Sequence, residues 1–205
     1  MQAVHDRLAT PFGLQLCDPP YVNTPHDVVR AVLFNDGQKE NGGIFCHTQG
    51  WAVIAETMLG HGDRAYQYYR AYLPAAYNER AEIRQSEPYV HCQSTHGPAS
   101  RQFGASRLPW LSGTAAWAYH AATHYILGIR PETDGLRIDP CLPSTWPQVT
   151  VRRRFRGLHL TIHIRNPHAR QKGVGTLLVD GRAVPGNFLA ASELRDGSHV
   201  EAVLS

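Results

Sequence analysis

Two strings in this sequence, Lys39-Glu40-Asn41-Gly42-Gly43-Ile44-Phe45-Cys46-His47 and Trp110-Leu111-Ser112-Gly113-Thr114, each carry polar groups and glycine into the start of a predicted helix. The first amides of a helix have no intrahelical partner and carry partial positive charge, so an oxyanion can approach a Ser-Gly start directly. Gly113 removes the side chain that would keep a ligand off the main chain. Phosphate is the anion such groups suit. Ser112 is also a good N-cap, and capping alone accounts for it equally well. His47, taken alone on an otherwise apolar face, reads as a satisfied core histidine. Its place one turn from Gly42-Gly43 favours a pocket.

Other polar residues nearby also read two ways. Lys39 and Glu40 suit an exposed ion pair, which contributes little to stability. Gln93, in Cys92-Gln93-Ser94-Thr95-His96, suits a turn. With Trp51, Tyr89, Trp110 and Trp117 as ring surfaces, the same amide and carboxylate groups suit a sugar, whose faces stack on aromatics while its hydroxyls need donors and acceptors. The twelve histidines raise the question of a metal. Cys46-His47, His91-Cys92 and His96 offer zinc-type ligands, but their spacing matches no standard finger and no metal is expected.

These groups need elements to aim them. From Phe45 to Leu59, the residues His47, Trp51, Ile54, Ala55, Met58 and Leu59 recur at helical steps and predict a helix with that face inward, ended by Gly60. Asp63 is the expected N-cap of a second helix, Arg64 to Leu73, whose stripe is Ala65, Tyr68, Tyr69 and Tyr72 and whose stop is Pro74. A third, alanine-rich helix is predicted from Ser112 to Leu127, closed by Gly128 and buried on most sides. Residues 75–110 read as a long irregular, functional loop.

After Pro131 the period changes to strict alternation. Val149-Thr150-Val151 with Phe155, the Arg156-Gly157 turn and Leu158 to Arg165 predict paired antiparallel strands. Further short strands are expected at Gly173 to Val179, Arg182 to Val184 and His199 to Leu204, with a turn at Asp180-Gly181. The fold class is therefore mainly α, followed by a small antiparallel β-sandwich, with residues 1–130 and 131–205 as the two domains.

Composition narrows the function classes. An apolar fraction of 42% with 18% charged residues is that of a soluble globular chain. No stretch is long and apolar enough for a bilayer and the first residues lack a signal-peptide core, so no membrane partner and a cytoplasmic location are expected. The formal charge of +3 comes mostly from Arg152, Arg153, Arg154 and Arg156, too narrow a patch for a nucleic-acid face. Four cysteines without a C-x-x-C spacing point to reduced thiols.

The two strings above, together with Glu87-Pro88-Tyr89-Val90, Leu127-Gly128-Ile129-Arg130-Pro131 and Gly135-Leu136-Arg137-Ile138-Asp139-Pro140-Cys141-Leu142-Pro143, closely resemble the inverting disaccharide phosphorylases of glycoside hydrolase family ninety-four, the cellobiose phosphorylase group. The resemblance spans essentially the whole chain. It implies the C-terminal portion of an (α/α)6 barrel followed by a β-domain. It also implies that His47, Ser112 and Gly113 hold inorganic phosphate as co-substrate, Ser112 standing where many relatives have Thr. Gln93 is implied at the sugar, and Lys39 and Glu40 on the acceptor side, with Arg30 on the approach as a guanidinium for an aldonate carboxylate. The implied reaction is reversible phosphorolysis of a β-1,4-glucoside, cellobionic acid or cellobiose, to α-glucose 1-phosphate with inversion, with no cofactor beyond phosphate, in a homodimer. The family's catalytic aspartic acid belongs to a motif upstream of Lys39 that this sequence does not contain, nor does Asp18 or Asp36 replace it. The isolated chain is therefore expected to be inactive.

Two other classes compete. A noncatalytic carbohydrate-binding module would bind sugar or phosphate without turnover. A hydrolase sharing the barrel would need two separated carboxylates rather than an anion pocket, and the Ser-Gly helix start argues against it.

Overall fold

The computed structural model describes all 205 residues, Met1–Ser205. The chain forms two compact units, Met1–Ala55 with Gln67–Tyr119, and Glu56–Tyr66 with His120–Ser205. No helix is long and apolar enough to cross a membrane.

In the first unit, helix α1 (Gln2–Leu8) leads into a hairpin of β1 (Ala9–Thr10) and β2 (Gly13–Leu14). An antiparallel sheet in the order β3-β4-β5 follows, made of β3 (Ile44–Phe45), β4 (Cys92–Thr95) and β5 (Ser106–Pro109). Helix α2 (Cys46–Met58) leaves β3 without a loop, and α3 (Gly62–Tyr72) follows. The short α4 (Ala81–Arg84) comes before β4, and α5 (Thr114–His120) after β5. Ala65, Tyr68 and Tyr72 are buried, as the stripe on α3 requires.

Several expectations need correcting here. The predicted inner face of α2 is not the buried one: Trp51 and Met58 are exposed, as is Leu59 just beyond the helix, while Cys46, Gln49, Gly50, Val53, Glu56 and Thr57 are buried. Specific bonds overrode hydropathy. Gln49 clasps the Leu14 main chain, its Oε1 accepting from Leu14 N at 2.7 Å and its Nε2 donating to Leu14 O at 2.9 Å, so a polar side chain is buried without an unmade bond. Gly50 lets α5 approach closely, since a Cβ there would stand 3.1 Å from both the Cβ and the carbonyl oxygen of Trp117.

The third helix is not buried on most sides either. Thr114 and Ala118 form its inner stripe, whereas Ala115, Ala116, Trp117 and Tyr119 are exposed. Its alanines permit a close approach on one side and do not require cover on all. Beyond His120 the coil widens into a π-type stretch, Ala121–Ile126, with Leu127 N donating to Ala122 O at 2.8 Å. Residues 75–110 are not irregular throughout, because they contain α4, β4 and β5. Asp63 lies inside α3 rather than capping it, and its carboxylate accepts from Ser144 N at 2.6 Å and from Ser144 Oγ at 2.9 Å.

The second unit carries a three-stranded and a five-stranded sheet. The smaller, in the order β12-β7-β6, pairs β6 (Ile129–Glu132), β7 (Gly135–Ile138) and, later in the chain, Phe188–Ala190 as β12. The larger contains β8 (Gln148–Phe155), β9 (Leu158–Arg165), β10 (Val174–Val179), β11 (Arg182–Ala183) and β13 (His199–Leu204) in the order β11-β10-β13-β9-β8. Arg156-Gly157 and Asp180-Gly181 adopt positive φ at both positions, as two-residue hairpin turns demand. Leu160, Ile162 and Ile164 of β9 are buried and alternate with exposed His159, His163 and Arg165, so one face of this sheet is covered. The sheet is not wholly antiparallel: β13 runs parallel to β9, with Val200 opposite Ile162 and Ala202 opposite Ile164. That pairing lets β13 add its own buried alternation, Val200, Ala202 and Leu204, to the same face.

Candidate anion-binding site

The three-stranded sheet of the first unit brings both helix starts together. Because β3 runs straight into α2, His47 stands in the first helical turn, its ring edge-on to Phe45 at 5.0 Å between centroids. The chain leaving β5 reverses through two successive tight turns, Leu111 N to Pro109 O and Ser112 N to Trp110 O, each 2.9 Å, and then enters α5. Trp110 is central to the first turn with φ of 69°, a conformation costing a non-glycine residue roughly 1–3 kcal/mol. The indole Nε1 of the exposed Trp110 donates to Glu87 Oε1 at 3.1 Å. Its own backbone amide and that indole hold the Glu87 carboxyl below the usual glutamate range.

His47 Nε2 lies 3.1 Å from Ser112 Oγ and accepts from the Gly113 amide at 3.0 Å. Accepting there places the ring proton on Nδ1, an assignment made from the hydrogen-bond geometry. Ser112 Oγ accepts the Thr114 amide at 3.0 Å, so the oxygen that faces His47 is also the helix cap. The capping expected of Ser112 is thus present. A Cβ on Gly113 would stand 3.7 Å from His47 Cε1 and 3.9 Å from Nδ1, so the glycine leaves the space beside the imidazole open.

Behind this group, the register places Pro109 opposite Cys92. Proline has no N–H to give, and the Cys92 carbonyl is faced instead by the hydroxyls of Ser112 at 3.0 Å and Thr114 at 2.9 Å. The neighbouring Cys46 is no nucleophile for His47, because burial pushes its thiol up to about 11.

The other sequence candidates, Arg30, Lys39, Glu40 and Gln93, form no side-chain hydrogen bond or ion pair with His47, Ser112 or Gly113. Lys39 has φ of 43° and lays its ammonium 5.3 Å from the centre of the Phe34 ring. It does not pair with Glu40, whose side chain is exposed, so the ion pair expected of this dipeptide is not formed. Arg30 is exposed at the start of a single 3-10 turn, Arg30–Leu33. Gln93 is half-buried on β4, tied to the His47 group through its neighbour Cys92.

Sequence reasoning missed Asn41 and Thr114. Asn41 is buried and holds the loop before β3: its Oδ1 accepts from Tyr21 N at 2.7 Å and its Nδ2 donates to Phe34 O at 3.0 Å. An asparagine before two glycines is a recognisable turn signal. Thr114 had only a weak signal, a second hydroxyl two residues after the Ser112 cap.

The catalytic domain of the glycosyl hydrolase 94 superfamily matches residues 1–128, and the chain belongs to that family. Residues 129–184 match the C-terminal domain of glycosyl hydrolase family 65. Over 184 residues the chain is 41% identical to N,N'-diacetylchitobiose phosphorylase of Vibrio furnissii, covering 90% of this chain and 23% of that protein. Solabiose phosphorylase of Paenibacillus borealis is 33% identical over 187 residues, 91% of this chain and 24% of that protein. Cellobionic acid phosphorylase of Neurospora crassa is 29% identical over 179 residues, 82% of this chain and 22% of that protein. The chain thus spans about a quarter of the length of these relatives.

Proposed function

We propose that this chain supplies the phosphate-holding part of an inverting β-disaccharide phosphorylase, with His47, Ser112 and the Gly113 amide as the phosphate ligands. The observation carrying the reading is that a hydroxyl and a helix-start amide meet one imidazole nitrogen, Ser112 Oγ at 3.1 Å and Gly113 N at 3.0 Å from His47 Nε2, beside the open space at Gly113. Phosphate is already an anionic nucleophile, so it needs positioning by donors rather than a general base. It attacks the anomeric carbon while the glycosidic bond breaks on the opposite face. A carboxylic acid then gives its proton to the leaving oxygen, and an α-sugar 1-phosphate forms with inversion. In this reading the acid and a further phosphate-binding arginine come from outside residues 1–205. The first 130 residues close the (α/α)6 barrel and the remainder forms a β-sandwich domain.

Two substrates have support. Relatives named for N,N'-diacetylchitobiose stand at 41% and 42% identity, which gives that disaccharide the greater weight. Cellobionic acid or cellobiose rests on the 29% relative and on Arg30, whose exposed guanidinium suits an aldonate carboxylate. Gln93, Lys39 and Glu40 complete the proposed sugar contacts.

Titrating the chain with inorganic phosphate, followed by 31P NMR, tests the reading. Wild type is expected to bind, and His47→Ala is expected to bind at least tenfold more weakly, the loss of one hydrogen bond to a charged group. No binding by the wild-type chain, or equal binding by the variant, would sink it. Disaccharide binding without phosphate binding would favour the noncatalytic module.

A further inference from the structure

Two loops of the first unit, 32–38 and 99–102, line one open cleft of about 620 Å³, a volume within the range of small-molecule sites. Main-chain bonds tie the loops together. Gly97 N donates to Gly37 O at 2.7 Å, Ser100 N to Gly97 O at 3.0 Å and Gly37 N to Asn41 O at 2.8 Å. Gly37, at φ of 74°, runs so close to the second loop that a Cβ on it would stand 2.4 Å from Ser100 N. The cleft is therefore held in shape before a ligand arrives, which lowers the ordering cost of binding.

Most of the lining is polar, with Asp36, Gln38, Ser100, Arg101 and Gln102 beside the ring of Phe34. Some of these groups are already engaged. Asp36 Oδ1 accepts from Asn41 Nδ2 at 3.4 Å, Ser100 Oγ accepts from Gln102 N at 3.2 Å, and Gln102 Oε1 accepts from the Arg107 guanidinium at 2.5 Å. By contrast, the Arg101 guanidinium, the Gln38 side-chain amide, Asp36 Oδ2 and Gln102 Nε2 make no bond within the protein. Asp36 and Arg101 bring opposite charges to one cleft and form no ion pair.

We propose that this cleft binds an uncharged pyranose. A site for an apolar ligand would be lined mainly by hydrocarbon. One for phosphate would carry surplus positive charge, whereas among these lining residues one guanidinium is matched by one carboxylate. What the cleft offers is spare donors and spare acceptors beside an aromatic ring. A sugar presents hydroxyls that donate and accept, together with an apolar face of C–H groups. Asp36 Oδ2 accepts from a sugar hydroxyl, Arg101 donates to a hydroxyl or an acetamido oxygen, and the Gln38 and Gln102 amides supply the remaining partners. The inference goes beyond the phosphate reading and does not depend on it, because His47, Ser112 and Gly113 take no part in the cleft.

The test is a 15N–1H NMR titration of the chain with N,N'-diacetylchitobiose and, separately, with cellobiose. At least one of them should shift the main-chain amides of Gly37, Ser100, Arg101 and Gln102 at concentrations into the millimolar range. Arg101→Ala removes an exposed side chain that holds nothing in the fold, and it should weaken this binding about tenfold, the worth of one hydrogen bond to a charged group. Asp36→Asn keeps the volume and an acceptor for Asn41 but turns the free acceptor into a donor, and a similar loss is expected. Unmoved amides with both sugars, shifts at Glu40 and Gln93 without those four, or undiminished affinity in either variant would overturn the proposal. Inorganic phosphate is the control probe and should leave the four amides in place. Displacement of the sugar by phosphate would make the cleft an anion site and overturn the proposal as well. If the chain bound no phosphate anywhere while the sugar shifts appeared, the phosphate reading would fail and the pyranose cleft would stand.

Discussion

Replacing Gly113 by alanine separates the site from the fold. The new Cβ would stand 3.7, 3.9 and 4.0 Å from Cε1, Nδ1 and Nε2 of His47, its three nearest neighbours outside the adjacent chain, which is ordinary van der Waals contact. Gly113 is also outside the positive-φ region, so alanine adopts its backbone without strain. A substitution of this kind changes stability by within about 1 kcal/mol, often favourably through the unfolded chain. For a chain of this size that is a shift of about 2–4 °C in Tm. The methyl nevertheless fills the space where an anion would meet both the Gly113 amide and the imidazole. Losing one hydrogen bond to a charged group costs about 1.5–3 kcal/mol, which predicts phosphate binding about 10- to 150-fold weaker. Thermal melting and a 31P titration on the same sample measure both quantities. Phosphate affinity within twofold of wild type would remove the open space at Gly113 from the site. A large drop in Tm would show that the glycine serves packing instead.

Two further outcomes follow from other positions. Burial and the Arg84 guanidinium depress the His91 imidazole from 6.5 to about 4. Between those values the unfolded chain takes a proton that the folded one refuses, so stability should fall as pH drops through this window, by at most about 1.4 kcal/mol per pH unit. Urea midpoints of wild type and His91→Gln should therefore converge toward acid pH, and parallel curves would contradict the assignment. At Gly97, a Cβ would stand 2.0 Å from the Gly42 carbonyl oxygen, a backbone atom that cannot move aside cheaply. Gly97→Ala should cost about 3 kcal/mol and lower Tm by roughly 6–12 °C. A melting curve matching wild type would refute the contact.

The elements were legible wherever period alone decides them. The helices near 46–58 and 62–72, the long hairpin at 148–165 and the strands at 174–179 and 199–204 lie close to where periodicity and turn residues put them. The sequence could not show which face of α2 is buried. Gln49 is inside because its polar atoms find partners in the Leu14 main chain, and no hydropathy scale contains those partners. Likewise β12 pairs with β7 from far along the chain, and the parallel partnership of β13 with β9 leaves no local trace. In the candidate site, His47, Ser112 and Gly113 were readable from residue type and the glycines beside them. Thr114 was hidden because its contribution depends on a carbonyl that Pro109, across the strand, cannot engage.

The place of β13 between β9 and β10 has a consequence for synthesis of the chain on the ribosome. The β8–β9 hairpin and the β10–β11 hairpin can each form as soon as they emerge, since their partners are adjacent in sequence. The strand that joins them, His199–Leu204, is made later than either. Until residue 204 is free, the nascent chain carries two hairpins with open edges at β9 and β10, the condition in which strands find wrong partners. A stalled or prematurely trimmed product lacking His199–Leu204 would keep both edges open, so its hazard to the cell is aggregation.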